Sequence, residues 1–240
     1  MNTAAFFKRG LLCLLVYFLT VHPNIFGQRP DTIAISADDI NTNVLKPGTY
    51  CWLNYVTSVK DNIKRNFVFW TLTIEAASYQ DKPALGIRQL IEFKDTIYES
   101  SYSLFDQKTF TPLTHMSETS ARKMNIDFTK KTIGLNGKLL NADDTARRSR
   151  MMLKGLDTAT ISFTMNYHAD LVTFPLLPYK NNRTFLINFY EPGSPAVEQV
   201  AFTVTGGAQL NSFDNGSHEC WVLQSKNKFS EQLFWISKRT

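Results

Sequence analysis

The chain has 240 residues, a formal net charge of +5, and a composition that is 43% hydrophobic and 13% aromatic. Basic residues are scattered among acids, as in "RQLIEFKDTIYES". A protein that binds nucleic acid concentrates its basic residues in a stripe, so the charge pattern excludes nucleic acid as the expected partner.

The first residues, "MNTAAFFKRGLLCLLVYFLTVHPNIFGQ", predict a signal peptide over residues 1–27. Lys8 and Arg9 form its basic start, and Gly10 to Val21 is an apolar run of about twelve residues, too short to span a bilayer. Cleavage is expected near Gly27–Gln28. A buried N-terminal helix is the alternative interpretation. Cys13 lies inside the apolar run, so a lipid anchor at that position is not expected.

Residues 28–44 are predicted to be an N-terminal extension, and residues 45–240 a single domain with a sizeable core. No second apolar run approaches the roughly eighteen residues of a transmembrane helix. Removal of Lys8 and Arg9 lowers the formal charge from +5 to +3, because residues 1–28 carry no acid. The expected location is the periplasm or cell envelope.

Apolar residues alternate with period two along most of the chain, which predicts β-strands. In "NFVFWTLTIEAAS", for example, Val68, Trp70, Leu72 and Ile74 share one face. The predicted strands, in chain order, lie in Thr49–Val59, Asn66–Ser78, Leu85–Lys94, Thr96–Phe105, Arg122–Thr129, Thr158–Asn166, Arg183–Glu191, Val197–Thr205, Glu219–Ser225 and Leu233–Ser237.

Turn signals separate these strands at short intervals. Asn136–Gly137 predicts a type I′ hairpin, and Gly206–Gly207 predicts a turn. The stretch "NADDTARRSRMMLKGL" is interpreted as a polar loop, because it has few apolar positions. The pattern as a whole predicts a mainly β fold, an antiparallel curled sheet forming a half-open barrel or β-roll.

One short helical turn is expected near residues 169–177, since Pro175 and Pro178 end any helix that begins at Asp170. Its apolar side chains would form a plug on the concave side of the sheet. We call residues 170–178 the plug. We expect the plug to serve core packing first and a ligand-binding wall second. The side chains in question are Leu171, Phe174, Leu176 and Leu177.

Four tryptophans, Trp52, Trp70, Trp221 and Trp235, fall on predicted strands. They would either line an apolar pocket for a lipid or fill the interior of a curled sheet. Cys51 and Cys220 each precede one of them. In an oxidising compartment the two cysteines would form a disulfide, and otherwise they are buried free thiols.

No arrangement of catalytic residues is found in the sequence. Ser194, in "EPGSPA", lacks the second glycine of a nucleophile elbow. His218 and Cys220 share a strand face, but too few other soft ligands remain for a zinc site. The other histidines that follow the signal peptide, His115 and His168, stand alone. We therefore expect no enzyme activity, no cofactor and no metal.

The run "HADLVTFPLLPYKNNRTFLINFYEPGSP", followed by "VAFTVTGGAQL", "HECWVLQS" and "LFWISKRT", resembles a family of exported β-rich bacterial proteins of unknown function. The version here is similar to that of the Bacteroidetes. The resemblance implies cell-envelope residence, no known catalytic residue, and a fold distantly similar to periplasmic lipoprotein carriers. The family pattern continues past "FWISK" into another strand, which implies that the domain lacks its final strand.

The sequence thus favours a non-catalytic envelope protein that binds a hydrophobic or lipid-like ligand in the concave face of its sheet. Leu171, Phe174, Leu176, Leu177, Trp70, Trp221 and Trp235 are the predicted cavity wall. The alternative is a structural or protein-interaction module that uses an open strand edge to bind another envelope protein.

Overall fold

A computed structural model describes residues 31–57, 60–211, 216–228 and 231–238. The predicted signal peptide and its cleavage site lie outside these residues, as do residues 28–30 of the predicted extension. Residues 32–240 form one compact unit.

The structure is mainly β, with 57% of residues in strands arranged in two sheets. The prediction of a mainly β fold is confirmed. The strands are β1 Asp31–Ala34, β2 Gly48–Thr57, β3 Lys64–Tyr79, β4 Lys82–Phe93, β5 Thr96–Asp106, β6 Pro112–Thr119, β7 Arg122–Asp127, β8 Thr132–Leu135, β9 Lys138–Leu139, β10 Met165–Asn166, β11 Arg183–Tyr190, β12 Glu198–Asn211, β13 Ser217–Lys226 and β14 Glu231–Ser237.

Strands β2 to β9 form an eight-stranded antiparallel meander, here called the long sheet, in which each strand pairs with the next in sequence. Tight turns of two residues join β3 to β4 and β6 to β7. At the β8–β9 turn, Asn136 and Gly137 both have positive φ, at 50° and 82°. The predicted hairpin is confirmed, because a type I′ turn requires positive φ at both central residues.

The remaining strands form a second sheet, here called the short sheet, in the order β1-β11-β12-β13-β14, with β10 parallel to β11. Gly206 and Gly207 lie within β12 and pair with Val222 and Trp221. The predicted turn at these glycines is therefore wrong. The pairing register shifts between Val204 and Gly206, so the glycines mark an irregularity inside a strand.

The sequence predicts one curled sheet, whereas the structure has two sheets. The described strands do not form a closed barrel. Period-two alternation identifies strands but contains no information on which strands pair. The sequence therefore did not predict that the long sheet ends where the chain leaves β9.

The chain leaves the long sheet through a helix, α1, over Arg147–Ala159. The predicted polar loop in this stretch is therefore wrong. The buried side of α1 consists mainly of small or flexible residues, which give a weak hydrophobic signal. The predicted strand Thr158–Asn166 is also wrong, apart from the two residues of β10. The buried residues of α1 are Ser149, Met152, Gly155, Leu156 and Ala159.

The predicted helical turn in the plug is present, as α2 over Asp170–Thr173, between 3₁₀ turns at Tyr167–Ala169 and Phe174–Leu176. Two further 3₁₀ turns, Ala37–Asp39 and Thr42–Val44, precede β2.

The larger of two hydrophobic clusters joins both sheets to the plug. The long sheet contributes residues such as Leu72 and Phe105, and the short sheet contributes residues such as Phe185 and Phe202. The smaller cluster packs α1 against strands β7 and β8, through residues that include Ile126, Ile133 and Leu156. The plug therefore belongs to the main core.

Candidate functional site

An apolar groove runs between the inner face of the long sheet and the plug. It has a volume of about 210 Å³. Strands β2 and β3 supply one wall, through Tyr50, Trp52, Leu72 and Ile74, and the plug supplies another, through Leu171, Val172 and Pro175. The turn before β2 contributes Val44, Leu45 and the cation Lys46.

A second groove of about 420 Å³ lies on the same side of the long sheet, farther along the same strands. Its lining is mostly apolar, with Val68, Trp70, Ile91, Phe93 and Tyr98, and two asparagines, Asn54 and Asn66. Trp52 of the first groove lies opposite Trp70 of the second in the β2–β3 register. Leu72 and Trp70 are two residues apart on β3 and so face the same side. The two grooves are thus neighbouring parts of one apolar face.

This face extends from Ile74 to Val68, a distance of about 20 Å along β3 at the usual rise per residue of a strand. Tyr50 and Trp52 remain 39% and 40% exposed. Side chains of this size are normally covered in a soluble protein when they lie next to each other.

The plug side chains divide between packing and groove. Phe174 lies against Phe202 and Phe234 of the short sheet, with ring centroids 5.0 Å and 4.7 Å apart. It also borders a small cleft of 150 Å³. Leu176 and Leu177 are buried in the core, whereas Leu171 is half-buried on the 210 Å³ groove.

The predicted tryptophans do not gather at one place. Trp70 lies in the second groove. Trp221 stacks on Tyr179 at 5.8 Å, and the Lys238 ammonium lies 4.5 Å from the same indole. Trp235 lies on β14 and is 45% exposed. Phe234, the residue before it, faces the core, and successive side chains of a strand point to opposite faces, so Trp235 points away from the core. Its role as a cavity wall stays a prediction, as do the roles of the other predicted wall residues.

Both cysteines are free in the structure. Cys51 is exposed on β2 of the long sheet, and Cys220 is buried on β13 of the short sheet. His218 is exposed, whereas Cys220 is buried with its thiol 3.6 Å from the His218 backbone carbonyl oxygen. Among the described residues, no group of three or more His, Cys, Asp or Glu side chains is arranged to hold a metal ion.

A buried polar cluster lies beside the plug, and the sequence did not predict it. Ser103 of β5 pairs in register with His115 of β6, and the Ser103 hydroxyl lies 2.8 Å from His115 Nδ1. The Asn166 side-chain amide, on β10, donates to Ser103 Oγ at 3.3 Å and lies 3.2 Å from His115 Nδ1. This contact joins the long sheet to the chain just before the plug.

His168 and two acids extend the cluster. Its Nδ1 lies 3.9 Å from Glu99 Oε1, and its Nε2 lies 3.4 Å from Glu191 Oε1. Four buried polar atoms of this region have no hydrogen-bond partner among the described residues, namely Glu99 Oε1, His115 Nε2, Ser117 Oγ and His168 Nε2. Such atoms are usually paired in folded proteins, often through a buried water.

Burial governs the ionisation of this cluster. Desolvation, followed by the nearby charges of His168 and Arg122, holds the pKa of His115 well below its ordinary value. Desolvation raises the pKa of Asp170 to about 6, although the Leu171 backbone N–H donates to its carboxylate and opposes the shift. A neutral His115 therefore fits the hydrogen bonds it makes. Ser103 and His115 resemble a nucleophile and base in spacing, but both are almost fully buried.

Comparison with known proteins gives one match. The family described as "Protein of unknown function (DUF3108)" covers residues 62–240, more than half of the chain. No curated protein and no solved structure matches. Within the described ranges, no helix is long and apolar enough to cross a membrane.

Proposed function

Because the chain belongs to the DUF3108 family, whose description assigns no activity, we propose its function from the grooves: it binds a hydrophobic or lipid-like ligand on the inner face of the long sheet. The supporting observation is the continuous apolar face that joins the 210 Å³ and 420 Å³ grooves at the Trp52–Trp70 pair. In this proposal the long sheet curls around the ligand as a half-open roll, with the plug closing one end.

The chemistry of the lining indicates the ligand class. The groove beside the plug has apolar walls and one cation, Lys46, near its margin. An elongated ligand with an apolar body and an anionic end, such as a fatty acyl chain, matches this arrangement, because apolar burial supplies affinity and a few polar groups set orientation.

The proposed role is non-catalytic. Supporting it, Ser103 and His115, which are spaced as in a catalytic pair, are 2% and 0% exposed, and neither borders the two apolar grooves. Their hydrogen bonds to Asn166 suit a structural role, which is to hold the plug against the long sheet.

We propose further that the protein acts outside the cytoplasmic membrane, in the periplasm or cell envelope, as its first 27 residues predict. Fractionation of cells that express the full chain, with N-terminal sequencing of the mature protein, tests this location. A mature chain that retains Lys8 and Arg9 in the cytoplasmic fraction would contradict it.

Ligand binding is tested by titration with a dansyl-labelled fatty acid. We expect Trp52→Ser to weaken binding by about tenfold, because it removes part of a large apolar contact. Trp235→Ser is the matched control, since Trp235 has similar exposure on the other sheet. Equal loss of binding in both variants, or no probe binding and no co-purifying lipid in mass spectra of native material, would refute the proposal.

A second candidate function rests on strand β2. No described strand pairs with its outer edge, and its ten residues contain neither a charge nor a proline. Natural edge strands usually carry such residues to prevent pairing with other chains. An extended peptide of another envelope protein would add to this edge by backbone hydrogen bonds. Pull-down of a partner that Val56→Pro abolishes would favour this function over ligand binding.

A further inference from the structure

Large apolar side chains are concentrated at one end of the long sheet, where the β2–β3 and β4–β5 turns lie. We call this end the tip, and within the part of the chain that the structure describes it comprises residues 53–57, 60–70 and 91–98. On one face, the exposed residues include Leu53, Phe67 and Phe69, which are 48%, 47% and 51% exposed. Phe69 of β3 pairs with Glu92 of β4, and Glu92 pairs with Ile97 of β5. Residues paired in this way face the same side of a sheet, so Ile97 lies on the same face as Phe69. The Ile97 side chain is 57% exposed.

The opposite face of the tip is apolar as well. It contains the 420 Å³ groove, with Val68, Trp70 and Phe93, and it includes Tyr98, which is 63% exposed. A groove of 380 Å³ lies on the first face, beside Phe67 and Phe69. Monomeric soluble proteins rarely expose apolar surface of this extent without using it.

The distribution over both faces restricts what covers the tip. A peptide strand added to β2 covers the edge of the sheet, but β5, which carries Ile97 and Tyr98, is three strands or about 14 Å away. A second sheet stacked on the tip covers one face only. A lipid surface surrounds both faces and the turns at once.

The charges of the tip fit the surface of a membrane. The Lys64 ammonium lies 4.4 Å from the centroid of Tyr55, and the Lys94 ammonium lies 5.2 Å from that of Phe93. Neither lysine makes an ion pair with a described residue. Aromatic rings with lysines at their margin are typical of the membrane–water interface, where the ammonium contacts anionic headgroups. Acids are also present: Asp61 is bound to Arg65 at 2.6 Å, and Glu92 and Asp95 are nearby in sequence.

We propose that the tip docks into the headgroup region of an anionic lipid surface, with Leu53, Phe67, Phe69 and Ile97 inserted. The polar turns at this end keep their hydrogen bonds with interfacial water, so the insertion is shallow. This docking goes beyond the proposed ligand binding, because it adds the outer face and the turns of the tip and does not require an occupied groove.

Vesicle sedimentation tests the proposal. The full mature chain should sediment with vesicles of mixed phosphatidylcholine and phosphatidylglycerol, and less with pure phosphatidylcholine. The double variant Phe67→Ser/Phe69→Ser should bind about tenfold more weakly, since two large apolar contacts are lost. Leu139→Ser/Ile161→Ser is the matched control: it removes two side chains that are 61% and 81% exposed away from the tip.

The results separate the alternatives. The docking would be overturned if the wild type sedimented with neither type of vesicle. It would also be overturned if the control variant lost as much vesicle binding as the tip variant. If the protein does not bind vesicles but forms a dimer in analytical ultracentrifugation, and the tip variant is a monomer, the lipid docking would be overturned. The tip would then be an interface with a second copy of the chain. Should the tip variant fail to fold, the single variant Ile97→Ser, which truncates a side chain that is 57% exposed at the tip, provides a second test and should also weaken sedimentation with the mixed vesicles. The dansyl-lipid titration with Trp52→Ser remains a separate readout for the groove.

Discussion

The imidazole of His115 lies 4.7 Å from that of His168, with the ring planes tilted by 35°. The two rings come from β6 and from the turn before the plug, so the plug is joined to the long sheet through histidines. His115 is fully buried, and its Nδ1 accepts a hydrogen bond from the Asn166 side-chain amide and lies 2.8 Å from the Ser103 hydroxyl. Protonation at this position should weaken the attachment of the plug.

The burial of His115 should make the free energy of unfolding depend on pH. Its pKa is lowered in the folded state, so below pH 6.5 the unfolded chain binds a proton that the folded chain does not. Stability should therefore decrease as pH falls below 6.5, by up to about 1.4 kcal/mol per pH unit for one proton. His115→Gln should reduce this slope in urea denaturation, with the exposed His218→Gln as control. An unchanged slope in His115→Gln would contradict the assignment.

Asp170 should have the opposite effect. Its pKa is raised from 3.8 to about 6 in the folded state, so the folded chain binds a proton more readily between these values. Stability should decrease as pH rises through this range, because the carboxylate becomes charged while buried. We expect Asp170→Asn to raise the free energy of unfolding at pH 7 by about 1–2 kcal/mol, and to change it little at pH 4. Denaturation at both pH values, with the exposed Asp157→Asn as control, measures the difference.

Gly155 should not tolerate a methyl group. An alanine Cβ at this position would lie 2.0 Å from the Ser194 carbonyl oxygen, which belongs to backbone that cannot move freely. Alanine normally stabilises a helix interior relative to glycine, by about 1 kcal/mol. At this position the close approach should reverse the sign, and Gly155→Ala should destabilise by about 2–3 kcal/mol. Asp157→Ala, at an exposed position inside α1, provides a control for helix propensity, since alanine is the better helix former there. A raised melting temperature in Gly155→Ala would disprove the contact.

Truncation of two plug side chains, one at a time, should distinguish a role in core packing from a role in ligand binding. Phe174→Ala removes contacts with two rings of the short sheet and should lower the free energy of unfolding by about 3–5 kcal/mol. Leu171→Ala acts on a half-buried groove wall and should cost about 1 kcal/mol or less. It should weaken binding of the dansyl fatty acid nonetheless. Comparable destabilisation by both substitutions would mean that Leu171 is a core residue.

Much of the fold follows from local patterns. The strands of the long sheet from β2 to β5 were predicted to within a few residues, because period-two patterns rich in β-branched and aromatic residues, bounded by turn residues, mark them in the sequence. The hairpin at Asn136–Gly137 follows from backbone preferences of two residues. The helix α1 was missed because Gly155 and Ser149 replace larger apolar residues on its buried side, where the Ser194 backbone packs closely.

The candidate site depends on strand pairing and was therefore harder to predict from the sequence. Ser103 and His115 are 12 residues apart, and Asn166 is 51 residues beyond His115. Only the β5–β6 register brings the first two together, and only the chain path after α1 brings the third. The grooves depend in the same way on Trp52 lying opposite Trp70. The plug, by contrast, was predicted as a local feature, from two prolines and the apolar residues between them.

The unequal exposure of Cys51 and Cys220 makes the predicted mature chain, which lacks Cys13, suitable for labelling without mutagenesis. Cys51 is open to solvent on the edge strand, one residue from Trp52, while Cys220 is sealed in the short sheet. A maleimide dye should modify only the first under native conditions. Its emission would then report on whatever approaches that strand, whether a fatty acid, a vesicle or another polypeptide.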